Sequence, residues 1–121
     1  MEIWFNPSCS KCRIAGQELA DAGLEVPQRR YLDDVPTAAE LSDVLDRLGM
    51  QPWEITRTGE AVAKELGLSS WTREPADRDR WIAAMVAHPK LIQRPIVLLD
   101  DGRALVARTP EAIQEVIASS S

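Results

Sequence analysis

The chain contains only two cysteines, Cys9 and Cys12, which lie three positions apart where a strand pattern gives way to a helical one. The apolar run at 3–5 comes directly before them, and apolar residues at helical spacing follow them. This pattern restricts the start of the chain to a strand that leads, through a short turn, into the N-terminus of a helix.

A thiol at such a junction is favoured as a thiolate. A helix N-terminus carries roughly half a positive charge and has unpaired backbone N–H groups. It lowers the pKa of a cysteine from about 8.5 toward roughly 3.5–7.5. Lys11 and Arg13 add positive charge beside Cys9. The junction therefore predicts sulfur chemistry.

The first third of the chain is predicted to form a β-α-β unit. Its pattern indicates a strand over 2–5, a helix over 10–22 and a second strand over 26–32. Pro27 cannot donate a ladder hydrogen bond, which favours an edge position for the second strand. A strand, a helix and a strand in about thirty residues imply a parallel pair with a right-handed crossover.

The middle of the chain, 36–90, is predicted to be helical, with no convincing strand. A capping box at Thr37–Glu40 begins the first helix of this segment, and Gly49 ends it. A shorter helix is predicted over 59–66, and another over about 75–87.

Strands return near the end. The buried strand predicted at 95–99, the tight turn at 100–102 and the strand at 104–106 form a hairpin. A final helix begins at Thr109-Pro110, with an N-cap followed by proline at the first helical position. A short serine tail is expected at 119–121.

The order β-α-β, helical insert, β-β-α predicts an α/β thioredoxin-like fold with a four-stranded mixed sheet. We expect a single domain over 1–121, with the insertion at about 36–90. The fold keeps its reactive thiols at the start of its first helix, where Cys9 and Cys12 lie.

Composition narrows the function. The net charge of −5 argues against a nucleic-acid surface, and no apolar run approaches the about 20 residues of a membrane span. The N-terminus has no signal-peptide pattern, so we expect a cytoplasmic protein. We also expect the protein to be a monomer. In the cytoplasm a cysteine pair three positions apart favours redox chemistry or metal binding over a structural disulfide. Two cysteines and the single His88 do not supply the four ligands of a structural zinc site, so no metal is expected.

The cationic residues are eleven arginines and three lysines. This preference for arginine has two explanations. It reflects the base composition of the genome, or it reflects selection of guanidinium groups that donate paired hydrogen bonds to an oxyanion.

Two segments, taken together, resemble the arsenate reductase family of the glutaredoxin-coupled type (ArsC). One is Asn6-Pro7-Ser8-Cys9-Ser10 followed by Arg13, and the other is Arg94-Pro95-Ile96-Val97. Either segment alone is a weak motif, but as a pair they are specific, and the match covers nearly the whole chain.

The resemblance implies that Cys9 is the nucleophile and that arginines hold the arsenate or the arsenic–thiol adduct. The matching arginines are Arg57, Arg94 and Arg108. Pro95 matches the proline that is cis in thioredoxin-like proteins and faces the active cysteine. With the helix start, the predicted substrate-binding residues are Ser10, Arg13, Arg57, Arg94 and Arg108, and the predicted catalytic residues are Cys9, Cys12 and Arg94.

The implied reaction is chemically consistent with these residues. A thiolate and an arsenate oxyanion repel each other, so a helix N-terminus and arginine forks are needed to bring them together. Cys9 would attack arsenic and displace hydroxide, and a second thiol would then attack the adduct and release arsenite. No bound cofactor is implied; the electrons would come from glutathione and glutaredoxin, or from thioredoxin.

The chain departs from the family pattern at two positions. Phe5 stands where the family often has a histidine, and Cys12 stands where it commonly has a serine. A Cys-x-x-Cys pair here resembles redox-sensing regulators of the Spx type, which bind RNA polymerase, and it would allow a Cys9–Cys12 disulfide.

Alternatives therefore remain: a general thiol-disulfide oxidoreductase, an Spx-type regulator, or Cys12 as a small core residue. Arg57 and Arg108 have a second reading as surface ion-pair partners.

Overall fold

The computed structural model describes residues 1–120, so the last position of the predicted serine tail, Ser121, lies outside the described residues. The strands are β1 (Glu2–Trp4), β2 (Gln28–Arg29), β3 (Ile96–Leu98) and β4 (Ala104–Val106). The helices are α1 (Ser10–Asp21), α2 (Ala38–Leu48), α3 (Ala61–Leu66), α4 (Arg78–Ala87) and α5 (Pro110–Ser119). Short 3₁₀ turns lie at Pro52–Glu54, Leu68–Ser70, Pro75–Asp77 and Pro89–Leu91.

The four strands form one mixed sheet in the order β2-β1-β3-β4. β1 pairs parallel with β2, as the β-α-β unit predicts, and antiparallel with β3, which pairs antiparallel with β4. The predicted α/β thioredoxin-like fold with a four-stranded mixed sheet is confirmed.

The chain divides into two compact units. Among the described residues, the first comprises 1–34 and 94–120 and contains the sheet, α1 and α5; the second comprises 35–93 and contains α2, α3 and α4.

In the first unit, α1 contributes Cys12, Ala15 and Leu19 to the apolar core. These positions recur at helical spacing, so one face of α1 is buried. Ile3 of β1 and Val97 of β3 are direct cross-strand partners in the same cluster. The start of α1 is therefore held against the sheet by fully buried side chains.

The second unit has its own core around Trp81, whose ring makes edge-on contacts with Trp53 and Trp71. The predicted capping box is present at the start of α2: Thr37 Oγ1 accepts from the Glu40 N–H, and the Glu40 carboxylate accepts from the Thr37 N–H. Gly49 ends α2 with a φ of 67°, a left-handed conformation that glycine adopts without strain.

The second strand is shorter than predicted. It covers two residues instead of 26–32, because the chain turns directly after it: the Asp33 N–H donates to the Arg30 carbonyl. An isolated antiparallel bridge between Thr56 and Ile92 has no counterpart in the predicted helical segment. Ser119, predicted to begin the tail, is the last residue of α5. None of the helices within 1–120 is long and apolar enough to cross a membrane.

Candidate active site

Cys9 occupies the N-cap of α1. Its backbone is extended, with φ −93° and ψ 122°, and its carbonyl accepts from the Arg13 N–H at 3.1 Å to begin the helix. The turn before it is closed by two hydrogen bonds to Asn6: the Cys9 N–H donates to the Asn6 carbonyl, and the Ser8 N–H donates to Asn6 Oδ1 at 3.0 Å. This turn places the Cys9 sulfur at the positive end of α1.

The pKa of Cys9 is lowered to about 7. Burial is the largest single influence and raises it, but four hydrogen bonds to the sulfur together outweigh burial. They come from the backbone N–H of Cys12, the guanidinium of Arg94, the Cys12 thiol and the backbone N–H of Lys11. Lys11 therefore acts through its backbone, as a residue of the first helical turn.

Cys12 is fully buried, whereas Cys9 is partly exposed. The pKa of Cys12 is raised to about 11; burial is the largest cause, and the negative charge and hydrogen bond of Cys9 act in the same direction. The backbone N–H of Asn6 and the charge of Arg94 oppose this shift. The two thiols are therefore strongly unequal: at neutral pH Cys9 is about half ionised and Cys12 is protonated.

The sheet register brings the arginines to Cys9. Trp4, at the end of β1, pairs with Ile96, at the start of β3, and Ile96 pairs with Val106, at the end of β4. Three chain segments therefore lie at the same end of the strands: the one after β1, the one before β3 and the one after β4. They carry Cys9, Arg94 and Arg108.

Arg94 and Arg108 are linked by a hydrogen bond, in which Arg108 Nη1 donates to the Arg94 carbonyl at 2.7 Å. Burial lowers the pKa of Arg94, but its hydrogen bond to Cys9 and the surrounding negative charge raise it overall, so the guanidinium stays protonated. The Arg94–Pro95 peptide bond is cis, as the resemblance implies for Pro95. Both arginines are half-buried.

Ser10 and Arg13 lie on the exposed side of the first turns of α1 and line an open groove with Ile14, Gln17 and Glu18. Arg13 Nη1 donates to the Pro7 carbonyl at 3.1 Å, so its guanidinium braces the turn before Cys9.

Arg57 belongs to the second compact unit. Its backbone N–H donates to the Leu91 carbonyl at 2.7 Å, and its guanidinium forms an ion pair at 3.1 Å with Glu60, which lies at the N-cap of α3. The predicted role of Arg57 in binding an oxyanion stays a prediction.

Two residues near Cys9 and Arg94 were not predicted from the sequence to take part in the site: Asn6 and Tyr31. Asn6 is the buried polar residue of the first unit's strand-to-helix turn, and its position before a proline is typical of side-chain-closed turns. Tyr31, the single tyrosine, is fully buried and lies close enough to Arg94 to influence the pKa of its guanidinium. No spacing rule connects Tyr31 to Arg94, because they come from distant parts of the chain.

Residues 1–120 bring no three His, Cys, Asp or Glu side chains together in a group that could hold a metal ion. His88 caps the C-terminal end of α4, the position expected for it.

Comparison with known proteins identifies the class of protein that this fold and site define. The ArsC family model matches residues 4–116, and the chain belongs to the ArsC family.

Three similar proteins illustrate the range of the family. A protein of Streptomyces viridochromogenes named "Uncharacterized protein in glnII region" is 57% identical over 117 residues, covering 97% of this chain and 98% of its own length. An arsenate reductase of Neisseria meningitidis serogroup A is 36% identical, with 97% of each chain covered. The structure of an arsenate reductase from Vibrio cholerae superimposes with a TM-score of 0.86 at 35% identity, covering 95% of each chain.

Proposed function

We propose that this protein reduces arsenate to arsenite, with Cys9 as the nucleophile and thiols as the source of electrons. One observation carries the proposal: the Cys9 sulfur lies at the N-terminus of α1, accepts a hydrogen bond from Arg94 and has a pKa of about 7. The names of relatives that are 36% identical over nearly the full chain support arsenate as the substrate.

The positive groups at this end of the strands are suited to binding a tetrahedral oxyanion. The backbone N–H groups of Lys11 and Cys12 and the guanidinium of Arg94 all donate to the Cys9 sulfur, and groups of this kind also bind oxyanions. Arg108 adds a second guanidinium that is tied to the Arg94 backbone. Ser10 and Arg13 offer a hydroxyl and a charge on the open side of the same turn. Arg57 enters the proposal from the family resemblance alone.

The chemistry begins with attack of the Cys9 thiolate on arsenic. A bond forms between sulfur and arsenic(V), and hydroxide leaves and takes up a proton to become water. A second thiol then attacks the Cys9 sulfur, the sulfur–arsenic bond breaks, and its electron pair remains on arsenic, which departs as arsenite. Glutathione with glutaredoxin, or thioredoxin, would restore the thiols; no bound cofactor takes part in this scheme.

The test is arsenate-dependent oxidation of NADPH by the purified protein, coupled in turn to a glutaredoxin system and to a thioredoxin system. Cys9→Ser should abolish the activity, and Arg94→Ala should lower kcat/KM strongly. Arg103→Ala is a matched control, because Arg103 lies in the β3–β4 turn, at the opposite end of β3 from Arg94, and pairs with Asp101 and Glu115. The absence of arsenate-dependent NADPH oxidation with every donor would overturn the proposal.

A second candidate, a general thiol-disulfide oxidoreductase, is favoured by the unequal Cys9–Cys12 pair. It predicts dithiol-dependent reduction of insulin or of a mixed disulfide, with no stimulation by arsenate. The Spx-type alternative predicts instead that the protein is captured by RNA polymerase in only one redox state.

A further inference from the structure

Cys12 is a nucleophilic side chain that the proposed reaction has not yet used. Its side chain is completely buried between α1 and the sheet, in the same cluster as Ile3, Ala15 and Val97. Neither a dissolved oxyanion nor an external thiol can reach a sulfur in that position. Because the chain has only two cysteines, the one thiol within it that can exchange with Cys12 is Cys9.

The contacts of Cys12 distinguish it from an inert core thiol. Its side chain hydrogen-bonds the side chain of Cys9, so the two sulfurs are direct neighbours at the start of α1. The backbone N–H of Asn6 also points at the Cys12 sulfur. An N–H donor aimed at a buried sulfur stabilises a thiolate, the form that acts as a nucleophile.

The direction of approach also fits. Cys9 is partly exposed, so an oxyanion reaches its sulfur from solvent, whereas Cys12 contacts the same sulfur from the protein interior. A thiolate displaces a leaving group from the far side of the sulfur it attacks. Cys12 therefore approaches the Cys9 sulfur from the side opposite to the solvent-facing side on which arsenic would be bonded.

Bonding of Cys9 to arsenic would change the environment of Cys12. The charge and hydrogen bond of Cys9 both raise the pKa of Cys12, and both effects of the thiolate disappear when its sulfur becomes covalently bonded. The opposing influences of the Asn6 N–H and the Arg94 charge remain. The first chemical step therefore removes two of the influences that raise the pKa of Cys12.

We infer that Cys12 is the resolving nucleophile of the reaction, an inference that rests on the proposed arsenate reduction. The Cys12 thiolate attacks the Cys9 sulfur in the adduct, and a Cys9–Cys12 bond forms as the sulfur–arsenic bond breaks. The electron pair of the broken bond reduces arsenic(V) to arsenic(III), and two thiols are oxidised to one disulfide. The Cys12 proton passes to solvent, and arsenite takes up protons from water.

The product disulfide defines the class of donor. Its exposed sulfur, Cys9, is the one that an external thiolate can attack, and Cys12 then leaves. A dithiol protein of the thioredoxin class completes the exchange by closing its own disulfide. External thiols are thus needed only for recycling, and the step that releases arsenite needs none.

The test is a single turnover. Fully reduced protein, freed of all external thiol, is mixed with excess arsenate, and arsenite and the intact-protein mass are measured. Wild type should release about one arsenite per chain and lose two hydrogen atoms as the Cys9–Cys12 disulfide forms. Cys12→Ser and Cys12→Ala should release almost no arsenite under these conditions, and should release it when glutathione is added.

Ala15→Ser is the matched control, because it places a hydroxyl on the same buried face of α1, one turn beyond Cys12, without removing a thiol. It should behave as wild type, and circular dichroism checks that each variant is folded. Release of arsenite by wild type only when glutathione is present, without a disulfide, would overturn the role of Cys12 and leave arsenate reduction standing. No arsenite under any condition would overturn the proposed function as well.

Discussion

The hydrogen bond from Arg94 to Cys9 makes the reactivity of the thiol depend on one side chain, and this dependence can be measured without any assumption about substrate. With a pKa of about 7, roughly half of Cys9 is thiolate at pH 7. Arg94→Met removes the one full positive charge among the hydrogen-bond donors to the sulfur and keeps a side chain of similar length.

We expect the pKa of Cys9 to rise by about one unit in this variant. Hydrogen bonds to charged groups contribute more than neutral ones, but Cys9 is partly exposed and solvent screens the loss, so the lower end of the range applies. At pH 7 the thiolate fraction then falls from about half to about a tenth, and alkylation by iodoacetamide slows roughly five-fold.

The assay is the alkylation rate from pH 5 to pH 10, followed by mass spectrometry, with Arg103→Met as the control arginine substitution. Cys12 does not interfere, because it is buried and protonated across most of this range. An unchanged titration midpoint in Arg94→Met would refute the conclusion that Arg94 activates the thiol, and would assign the low pKa to the N–H groups of the helix N-terminus and the Cys12 thiol.

Three further outcomes are expected. Glu60→Gln releases the Arg57 guanidinium from its ion pair, so the KM for arsenate should fall with little change in kcat if Arg57 binds the oxyanion. Burial and Cys9 hold the pKa of Cys12 at about 11, above its value in the unfolded chain. The protonated Cys12 thiol therefore contributes stability that is fully present below pH of about 8.5 and is lost as the pH rises toward 11. In urea-unfolding titrations, Cys12→Ala should show a smaller loss of stability over this alkaline range than wild type. Thr37→Ala removes the N-cap oxygen of α2 and should lower the free energy of unfolding by about 1 kcal/mol, with Thr58→Ala as an exposed loop control.

Local pattern was sufficient for most of the fold. The helix boundaries at Ser10 and Gly49, the hairpin around Gly102 and the N-cap at Thr109 follow from capping and turn chemistry, which acts over a few residues. The second strand was predicted too long because 26–32 has a strand composition, whereas the turn after Arg29 depends on backbone hydrogen bonds that composition does not reveal.

In the candidate site, too, some features follow from local sequence and others depend on the pairing of distant strands. A reactive Cys9 follows from a strand that enters a helix N-terminus, and this is a local property. The contact of Arg94 with Cys9 depends on the antiparallel register of β1 and β3, which joins residues more than eighty positions apart. Without the family resemblance, no spacing in the chain would have selected Arg94 and Arg108 from eleven arginines.

The sequence by itself therefore determined that a reactive thiol lies at this strand-to-helix junction, because the sulfur and the start of the helix are adjacent in the chain. Only the tertiary structure decided how the two cysteines differ. Packing of α1 against the sheet buries Cys12 completely and leaves Cys9 open, and burial is the largest influence on the pKa of each sulfur. A symmetric pair in the sequence becomes an exposed nucleophile and a concealed partner because only one face of a helix can pack against a sheet.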